Sequence, residues 1–182
     1  EGYGTYVNVE SAFTGKLCGG QRPGHFRGVA TVVTKLMNLS RAQEAFFGQK
    51  DAQQVLVIKR FVKDLNIQVN VNMVPIVREE SGLARSSRNA YLSPEEKQAA
   101  MVLSRSLKKA EEAYKTGETS VDALKNIVRN EIATEPMAVI DYVEIYSFDE
   151  LKEISQVKGE SLLAIAVKIG KTRLIDNIII GC

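Results

Sequence analysis

The first 75 residues alternate between helical and strand-like segments, and this order restricts the fold more than any other feature of the sequence. Residues 26–37 carry apolar side chains at helical spacing, and the apolar run 45–47 follows them. A second helical pattern covers residues 51–65, and residues 67–74 are typical of a strand. Helices and strands in this order form crossover units around a parallel sheet. We therefore predict an α/β fold for this part of the chain.

Ahead of these segments the sequence predicts one more strand and a loop. Residues 5–9 alternate in polarity in the manner of a half-buried strand. Residues 11–24 are rich in glycine, which interrupts regular structure. We therefore predict a loop over residues 11–24, directly before the first helix.

The clearest local signal is a helix start at Ser93. The Ser93 hydroxyl can accept from the amide three residues on, Pro94 suits the first helical position, and Glu96 can reach back to the amide of Ser93. This capping box predicts a helix that runs to about Lys115. A second amphipathic helix is predicted over about residues 120–135.

The remaining residues complete the predicted domain organisation. Three strand-like segments, over residues 139–146, 162–169 and 173–180, predict a small and mostly antiparallel sheet. Composition then divides the chain into an α/β part, a polar active-site loop or linker, and a C-terminal α+β domain. These three parts cover residues 1–74, 75–92 and 93–182.

Charge and composition exclude several classes of protein. The chain has 24 Lys and Arg against 22 Asp and Glu, and a net charge of +2 is too small for a sequence-independent nucleic-acid binder. No apolar run approaches the roughly 20 residues that cross a bilayer. The single histidine, His25, excludes sites that need two imidazoles. We expect a soluble, cytoplasmic protein with no nucleic-acid or membrane partner and no metal site of its own.

One candidate site is the segment Gly48-Gln49-Lys50-Asp51, where a predicted strand gives way to a helix. Open α/β sheets bind ligands at this position, and the amides of a helix start face anions. Lys50 could offset phosphate charge, and Asp51 could accept from a ribose hydroxyl. The alternative is a capped turn with a solvated lysine.

A second candidate site is Ser86-Ser87-Arg88-Asn89, with Arg78 and Arg85 nearby in sequence. Hydroxyl, amide and guanidinium donors in one loop are typical of an anion site. The alternative is an ordinary polar linker. Arg22 and His25 precede a predicted helix, and for His25 a capping or packing role is favoured over ligand binding.

Three segments together resemble the pantoate–β-alanine ligase family. They are Arg-Pro-Gly-His-Phe-Arg-Gly-Val at 22–29, Phe-Gly-Gln-Lys-Asp-Ala-Gln-Gln at 47–54, and Gly-Leu-Ala-Arg-Ser-Ser-Arg-Asn-Ala-Tyr-Leu-Ser at 82–93. The similarity continues through residues 140–144 and 173–177. The resemblance implies a partial Rossmann-like parallel sheet of the class I adenylyl-transferase type, followed by a smaller α+β domain with helices and a short antiparallel sheet.

The resemblance implies an ATP-dependent condensation of pantoate with β-alanine to pantothenate, for coenzyme A biosynthesis. Pantoyl adenylate would be the intermediate, AMP and pyrophosphate the other products, and Mg²⁺ would arrive with ATP. A homodimer is expected. The family's opening third, with a two-histidine motif, has no counterpart in this sequence, so we expect a truncated ligase that is weak or inactive alone. The alternative is a non-catalytic nucleotide-binding or interaction module of the same fold.

The resemblance also implies roles for individual residues. Gln54 would hold pantoate, and Val77 would meet adenine through its backbone. Arg85 stands where the family usually has an apolar residue. We expect one triphosphate to be shared by the two ATP-binding segments. The ATP ligands would be Gly48, Gln49, Lys50, Asp51, Val77, Arg85, Ser86, Ser87 and Arg88, of which Lys50, Ser86, Ser87 and Arg88 would be catalytic.

Overall fold

A computed structural model describes residues 2–181 of the chain. The chain forms two units, Glu1–Pro75 and Ile76–Cys182, each with its own sheet. Residues of the predicted linker 75–92 lie for the most part in the second unit. No helix within residues 2–181 has the length and apolar character that a bilayer-spanning segment requires.

The first unit is a two-stranded parallel sheet with helices. Strands β1 and β2 pair from Glu44 opposite Asn70 to Gly48 opposite Val74, and helix α4 connects them. Side chains of α3 and α4, including Ala30, Ile58 and Phe61, form a core against one face of this sheet. The elements are α1 Ser11–Thr14, α2 Leu17–Gln21, α3 His25–Ser40, β1 Glu44–Gly48, a 3-10 turn Gln49–Asp51, α4 Ala52–Asp64 and β2 Asn70–Val74.

Two predictions for the start of the chain are wrong. Residues 5–9 form no strand, because β1 and β2 pair only with each other; the amide of Val7 instead donates to the Thr31 hydroxyl at 2.9 Å. Residues 11–24 are not a loop but contain α1 and α2, in which Phe13 and Leu17 are buried. The predicted strand 67–74 is shorter, since five residues of β1 limit the pairing to Asn70–Val74.

The second unit places two helices against a three-stranded antiparallel sheet. Strand β4 lies between β3 and β5, and its side chains are buried at every position except Lys168. Leu103 of α5 and Leu124 of α6 belong to the same core as Ile165 of β4. The elements are a 3-10 helix Ser87–Tyr91, α5 Pro94–Lys115, α6 Val121–Ile132, β3 Ala138–Ser147, β4 Ser161–Ile169 and β5 Thr172–Ile180.

The predicted capping box at the start of α5 is confirmed. The Ser93 hydroxyl accepts from the amide of Glu96 at 3.2 Å, and the Glu96 carboxylate accepts from the amide of Ser93 at 2.9 Å. A Cβ on Gly170, in the turn between β4 and β5, would meet the carboxylate of the same glutamate, which would have to shift. Gly170 also has a φ of +56°, which disfavours other residues there.

Candidate functional site

The junction between β1 and α4 lies at the carboxyl edge of the parallel sheet. Gly48 ends β1 and faces Val74 at the end of β2. Gln49, Lys50 and Asp51 then form one 3-10 turn before α4 begins at Ala52. A Cβ placed on Gly48 would meet no atom within 4 Å, so the space over this residue is open. The predicted strand-to-helix turn is confirmed, and its location is where parallel sheets bind ligands.

Two adjacent glutamines at the start of α4 have different environments. Gln53 is 6% exposed, and its side-chain amide donates to the carbonyls of Phe13 and Lys16. Gln54 is partly exposed, and its side chain makes no hydrogen bond to any residue from 2 to 181. Gln54, the predicted pantoate ligand, therefore has a side-chain amide that can bind a polar ligand.

Arg22 and His25 lie near this junction. Arg22 Nη1 is 3.4 Å from His25 Nε2, and the ring centres of His25 and Phe26 are 5.0 Å apart. Burial first, and then the charge of Arg22, hold the pKa of His25 below its ordinary value, while the Asp51 carboxylate acts in the opposite direction. His25 thus combines the predicted packing role with electrostatic contact to the Gly48–Asp51 turn.

A cleft of about 610 Å³ adjoins Arg22 on the side of α1 and α2. Arg22 and Arg27 supply positive charge, and several glycines leave the main chain of the wall accessible. Sequence reasoning missed this cleft because the glycine-rich residues 11–24 were predicted to be a loop. The wall includes Gly15, Gly19, Gly20 and Gly24.

In the second unit, residues 77–85 form a short hairpin. Arg78 and Ala84 form an antiparallel bridge, and the amide of Arg85 donates to the carbonyl of Val77 at 2.9 Å. The hairpin therefore places Val77, the predicted adenine contact, beside Arg85, a predicted phosphate contact. Val77 is 60% exposed, which leaves its backbone neighbourhood accessible.

The predicted cluster of three arginines is only partly available to an anion. Arg78 is bound to Asp176 through two hydrogen bonds, so its charge is already neutralised. Arg85 and Arg88 are exposed, and within residues 2–181 neither guanidinium has a partner. Sequence spacing could not separate these cases, because Asp176 lies 98 residues from Arg78.

Residues 86–88 form the start of the 3-10 helix. The Ser86 hydroxyl caps this helix by accepting from the amide of Arg88 at 3.2 Å. Ser87 is exposed beside it. A serine pair next to two unpaired guanidinium groups supplies the donors that bind phosphate oxygens. Within residues 2–181, no three His, Cys, Asp or Glu side chains lie close enough to hold a metal ion.

Comparison with known proteins gives consistent matches. The family model for pantoate-beta-alanine ligase matches residues 1–179. Pantothenate synthetase of Pelotomaculum thermopropionicum is 62% identical over 99% of this chain, and that of Acetivibrio thermocellus is 57% identical over the same share. In both cases the match covers 64% of the relative. The chain thus spans slightly less than two thirds of the length of these relatives.

Solved structures match the fold as well. Pantothenate synthetase from Thermus thermophilus has a TM-score of 0.93 and 43% identity, covering 98% of this chain and 64% of its own. A pantoate-beta-alanine ligase from Francisella tularensis, complexed with beta-gamma ATP and beta-alanine, has a TM-score of 0.69 and 29% identity, covering 96% of this chain and 57% of its own. The parallel sheet with helices and the small antiparallel sheet are the fold of these enzymes. The chain belongs to the pantoate-beta-alanine ligase family.

Proposed function

We propose that this chain carries part of the machinery for condensing pantoate with β-alanine. In the first step a pantoate carboxylate oxygen bonds to the α-phosphorus of ATP, and the bond to the bridging oxygen breaks so that pyrophosphate leaves. In the second step the β-alanine nitrogen attacks the acyl carbon of pantoyl adenylate, AMP leaves with the bonding electrons, and the nitrogen loses a proton. The product is pantothenate, a precursor of coenzyme A.

One observation carries this proposal beyond family membership. Arg85 and Arg88 present guanidinium groups without partners among residues 2–181, on the loop that also bears Ser86 and Ser87, whereas Arg78 on the same loop is fully engaged. Adenylation requires donors that neutralise charge on the phosphates, and the protein contributes mainly by positioning and electrostatic stabilisation. In this loop one arginine is held by an ion pair and two arginines have guanidinium groups that can bind phosphate oxygens, which suits the loop to adenylation.

We assign each candidate residue to one part of the substrates. Gly48, Gln49, Lys50 and Asp51 contact ATP, with Lys50 on phosphate and Asp51 near the ribose. Val77 meets adenine through its backbone, and Gln54 holds pantoate. Mg²⁺ enters with ATP, bound mostly by phosphate oxygens and water. Residues 85–88 grip the phosphates, and Lys50, Ser86, Ser87 and Arg88 stabilise the transition state.

We also propose a cytoplasmic homodimer. Val32, Leu36 and Leu39 form an apolar stripe on α3 that is 52%, 59% and 79% exposed, and stripes of this kind are usually covered by a partner surface. Because the chain spans 64% of its relatives, we expect the 182-residue polypeptide alone to turn over slowly or not at all.

The test measures AMP and pantothenate made from Mg·ATP, pantoate and β-alanine, with a reaction lacking pantoate as the blank. The chain is assayed alone and together with the N-terminal third of the Pelotomaculum relative, and Mg·ATP binding is measured by calorimetry. Pantoate-dependent AMP release by the chain, either alone or with the N-terminal third of the relative, supports the proposal. ATP binding without turnover in both mixtures would instead indicate a non-catalytic nucleotide-binding module, and the absence of binding and turnover would refute both.

A further inference from the structure

We infer that Asp176 is a positioning residue for the phosphate-binding loop and acts through Arg78. This inference rests on the proposed function, because it assigns a purpose to the way the loop is held. Asp176 lies on β5, is 2% exposed, and has no place among the proposed ligands. Its role follows from a chain of contacts that runs within the second unit from the sheet to residues 85–88.

The first contact is a two-pronged ion pair between Asp176 and Arg78. Arg78 Nη1 donates to Asp176 Oδ2 at 2.7 Å, and Arg78 Nη2 donates to Asp176 Oδ1 at 3.0 Å. A bidentate pair fixes the orientation of the guanidinium plane as well as its distance. The same Nη1 atom donates to the carbonyl of Gly82 at 3.1 Å, so one guanidinium joins β5 to the tip of the hairpin.

The second set of contacts carries this restraint along the hairpin. The main chain of Arg78 pairs with Ala84, the amide of Glu79 donates to the carbonyl of Leu83 at 2.8 Å, and the amide of Arg85 donates to Val77. Fixing Arg78 therefore fixes both strands of the hairpin. The hairpin begins at Val77, the proposed adenine contact, and ends at Arg85, a proposed phosphate contact, and the two are joined by this last hydrogen bond.

The third contact fastens the 3-10 helix to the hairpin. Asn89 is 5% exposed, and its side-chain amide donates to Glu79 Oε1 at 2.8 Å and to the carbonyl of Ala84 at 3.1 Å. Ser86, Ser87 and Arg88 lie directly between Arg85 and Asn89 in sequence. Both ends of the phosphate-binding segment are thus held by a hairpin that depends on Asp176.

This arrangement predicts a specific effect of removing the Asp176 charge. Without the carboxylate, Arg78 loses the partner that orients it, and the hairpin can take other positions. Ligand binding must then supply the ordering free energy that the folded protein now supplies in advance. ATP affinity should fall, whereas pantoate affinity, which we assign to Gln54 in the first unit, should not change.

The experiment compares Asp176→Asn with a matched control, Asp141→Asn. Asp141 forms an ion pair of similar length, 2.8 Å, with Arg173, but this pair joins β3 to β5 and not the sheet to the hairpin. Dissociation constants for Mg·ATP and for pantoate are measured by calorimetry, and amide exchange is followed over residues 85–89. Asp176→Asn should weaken ATP binding about tenfold or more and speed exchange at residues 85–89. Asp141→Asn should change neither more than about twofold.

Several outcomes decide the inference. Parent-like ATP affinity and amide exchange in folded Asp176→Asn would overturn it, as would equal losses in both variants. If Asp176→Asn fails to fold, Arg78→Lys takes its place, because it keeps the charge but not the second hydrogen bond. The inference then requires a measurable loss of ATP affinity, smaller than the loss of about tenfold expected for Asp176→Asn, with unchanged pantoate affinity. If the parent chain binds no Mg·ATP, the proposed ATP site fails, but faster exchange at residues 85–89 in Asp176→Asn alone still supports the positioning role.

Discussion

The side-chain amide of Gln53 donates a hydrogen bond to the main-chain carbonyl of Phe13, 40 residues earlier in the chain, at 2.9 Å. The same nitrogen donates to the carbonyl of Lys16 at 2.7 Å, and the amide of Gly19 donates to Gln53 Oε1 at 3.4 Å. One buried side chain thus attaches α1 and α2 to the first turn of α4, beside the proposed ATP and pantoate ligands.

Replacing Gln53 with alanine should lower the free energy of unfolding by about 1–3 kcal/mol, because two main-chain carbonyls lose their donor inside the protein. Urea unfolding followed by circular dichroism measures this change. The matched control is Gln54→Ala, which removes a glutamine whose side chain has no hydrogen bond within residues 2–181 and should alter stability by no more than about 0.5 kcal/mol. Equal stability losses in the two variants would contradict the structural role of Gln53.

The electrostatic contact between Asp51 and His25 can be tested by titration. His25 is the single histidine, so one set of imidazole proton signals reports its pKa by NMR. We expect a pKa below 6.5, since burial and Arg22 both disfavour the imidazolium. Asp51→Asn should lower this pKa further, and Arg22→Gln should raise it. If the pKa of His25 is the same in both variants as in the parent, His25 has no electrostatic interaction with Arg22 or with Asp51 of the Gly48–Asp51 turn.

The same shift makes stability depend on pH. Because the folded pKa of His25 is lowered, the unfolded chain binds the proton first as the pH falls below 6.5. The contribution of His25 to stability should therefore decline from pH 6.5 down to its folded pKa and level off below it. His25→Gln should remove this part of the pH dependence, which a series of urea unfolding curves would show.

Local signals in the sequence predicted elements whose determinants lie close together in the chain. The Ser93 capping box and the strand-like segments of the second unit are examples, because each depends on residues a few positions apart. The helices α1 and α2 escaped prediction, since their burial depends on Gln53, far along the chain. Asp176 likewise decides that Arg78 is structural, and no spacing rule connects two residues that distant.

The start of α5 offers a test of the capping box. Ser93→Ala should lower the free energy of unfolding by about 1 kcal/mol, because the amide of Glu96 loses its acceptor. Ser93→Thr should retain most of the stability, since threonine also caps helices. Ser104→Ala, within the same helix, is the control and should change stability by less than about 0.5 kcal/mol. A Ser93→Ala protein as stable as the control would rule out a capping contribution.

Glu131 on α6 should govern part of the response to acid. The carboxylate is 6% exposed, and hydrogen bonds from Lys109 and then Arg105 hold its pKa below the ordinary value of 4.5. Its stabilising contribution is therefore present above pH 4.5 and is lost as the pH falls through the folded pKa.

Glu131→Gln should cost about 1–2 kcal/mol at pH 7, a modest loss because both cations are more than half exposed and water can solvate them. Its stability should also vary less between pH 5 and about pH 3 than that of the parent. Glu111→Gln, which removes an exposed ion pair with Lys115, is the control and should leave the loss of stability at acid pH unchanged. Chemical denaturation at several pH values measures both effects, and parallel pH profiles for all three proteins would disprove the assignment.

The proposed reaction depends on Lys50 and Arg88 to stabilise charge in the transition state. Lys50→Ala and Arg88→Ala should each lower turnover about a hundredfold or more, the loss typical of removing one donor that stabilises charge in the transition state. The measurement is pantoate-dependent AMP release by the chain supplemented with the N-terminal third of a relative. Lys59→Ala, which removes an exposed lysine from α4, is the matched control and should retain the parent rate. A parent rate in Lys50→Ala or Arg88→Ala would remove that residue from the mechanism, because the reaction would then not need its charge.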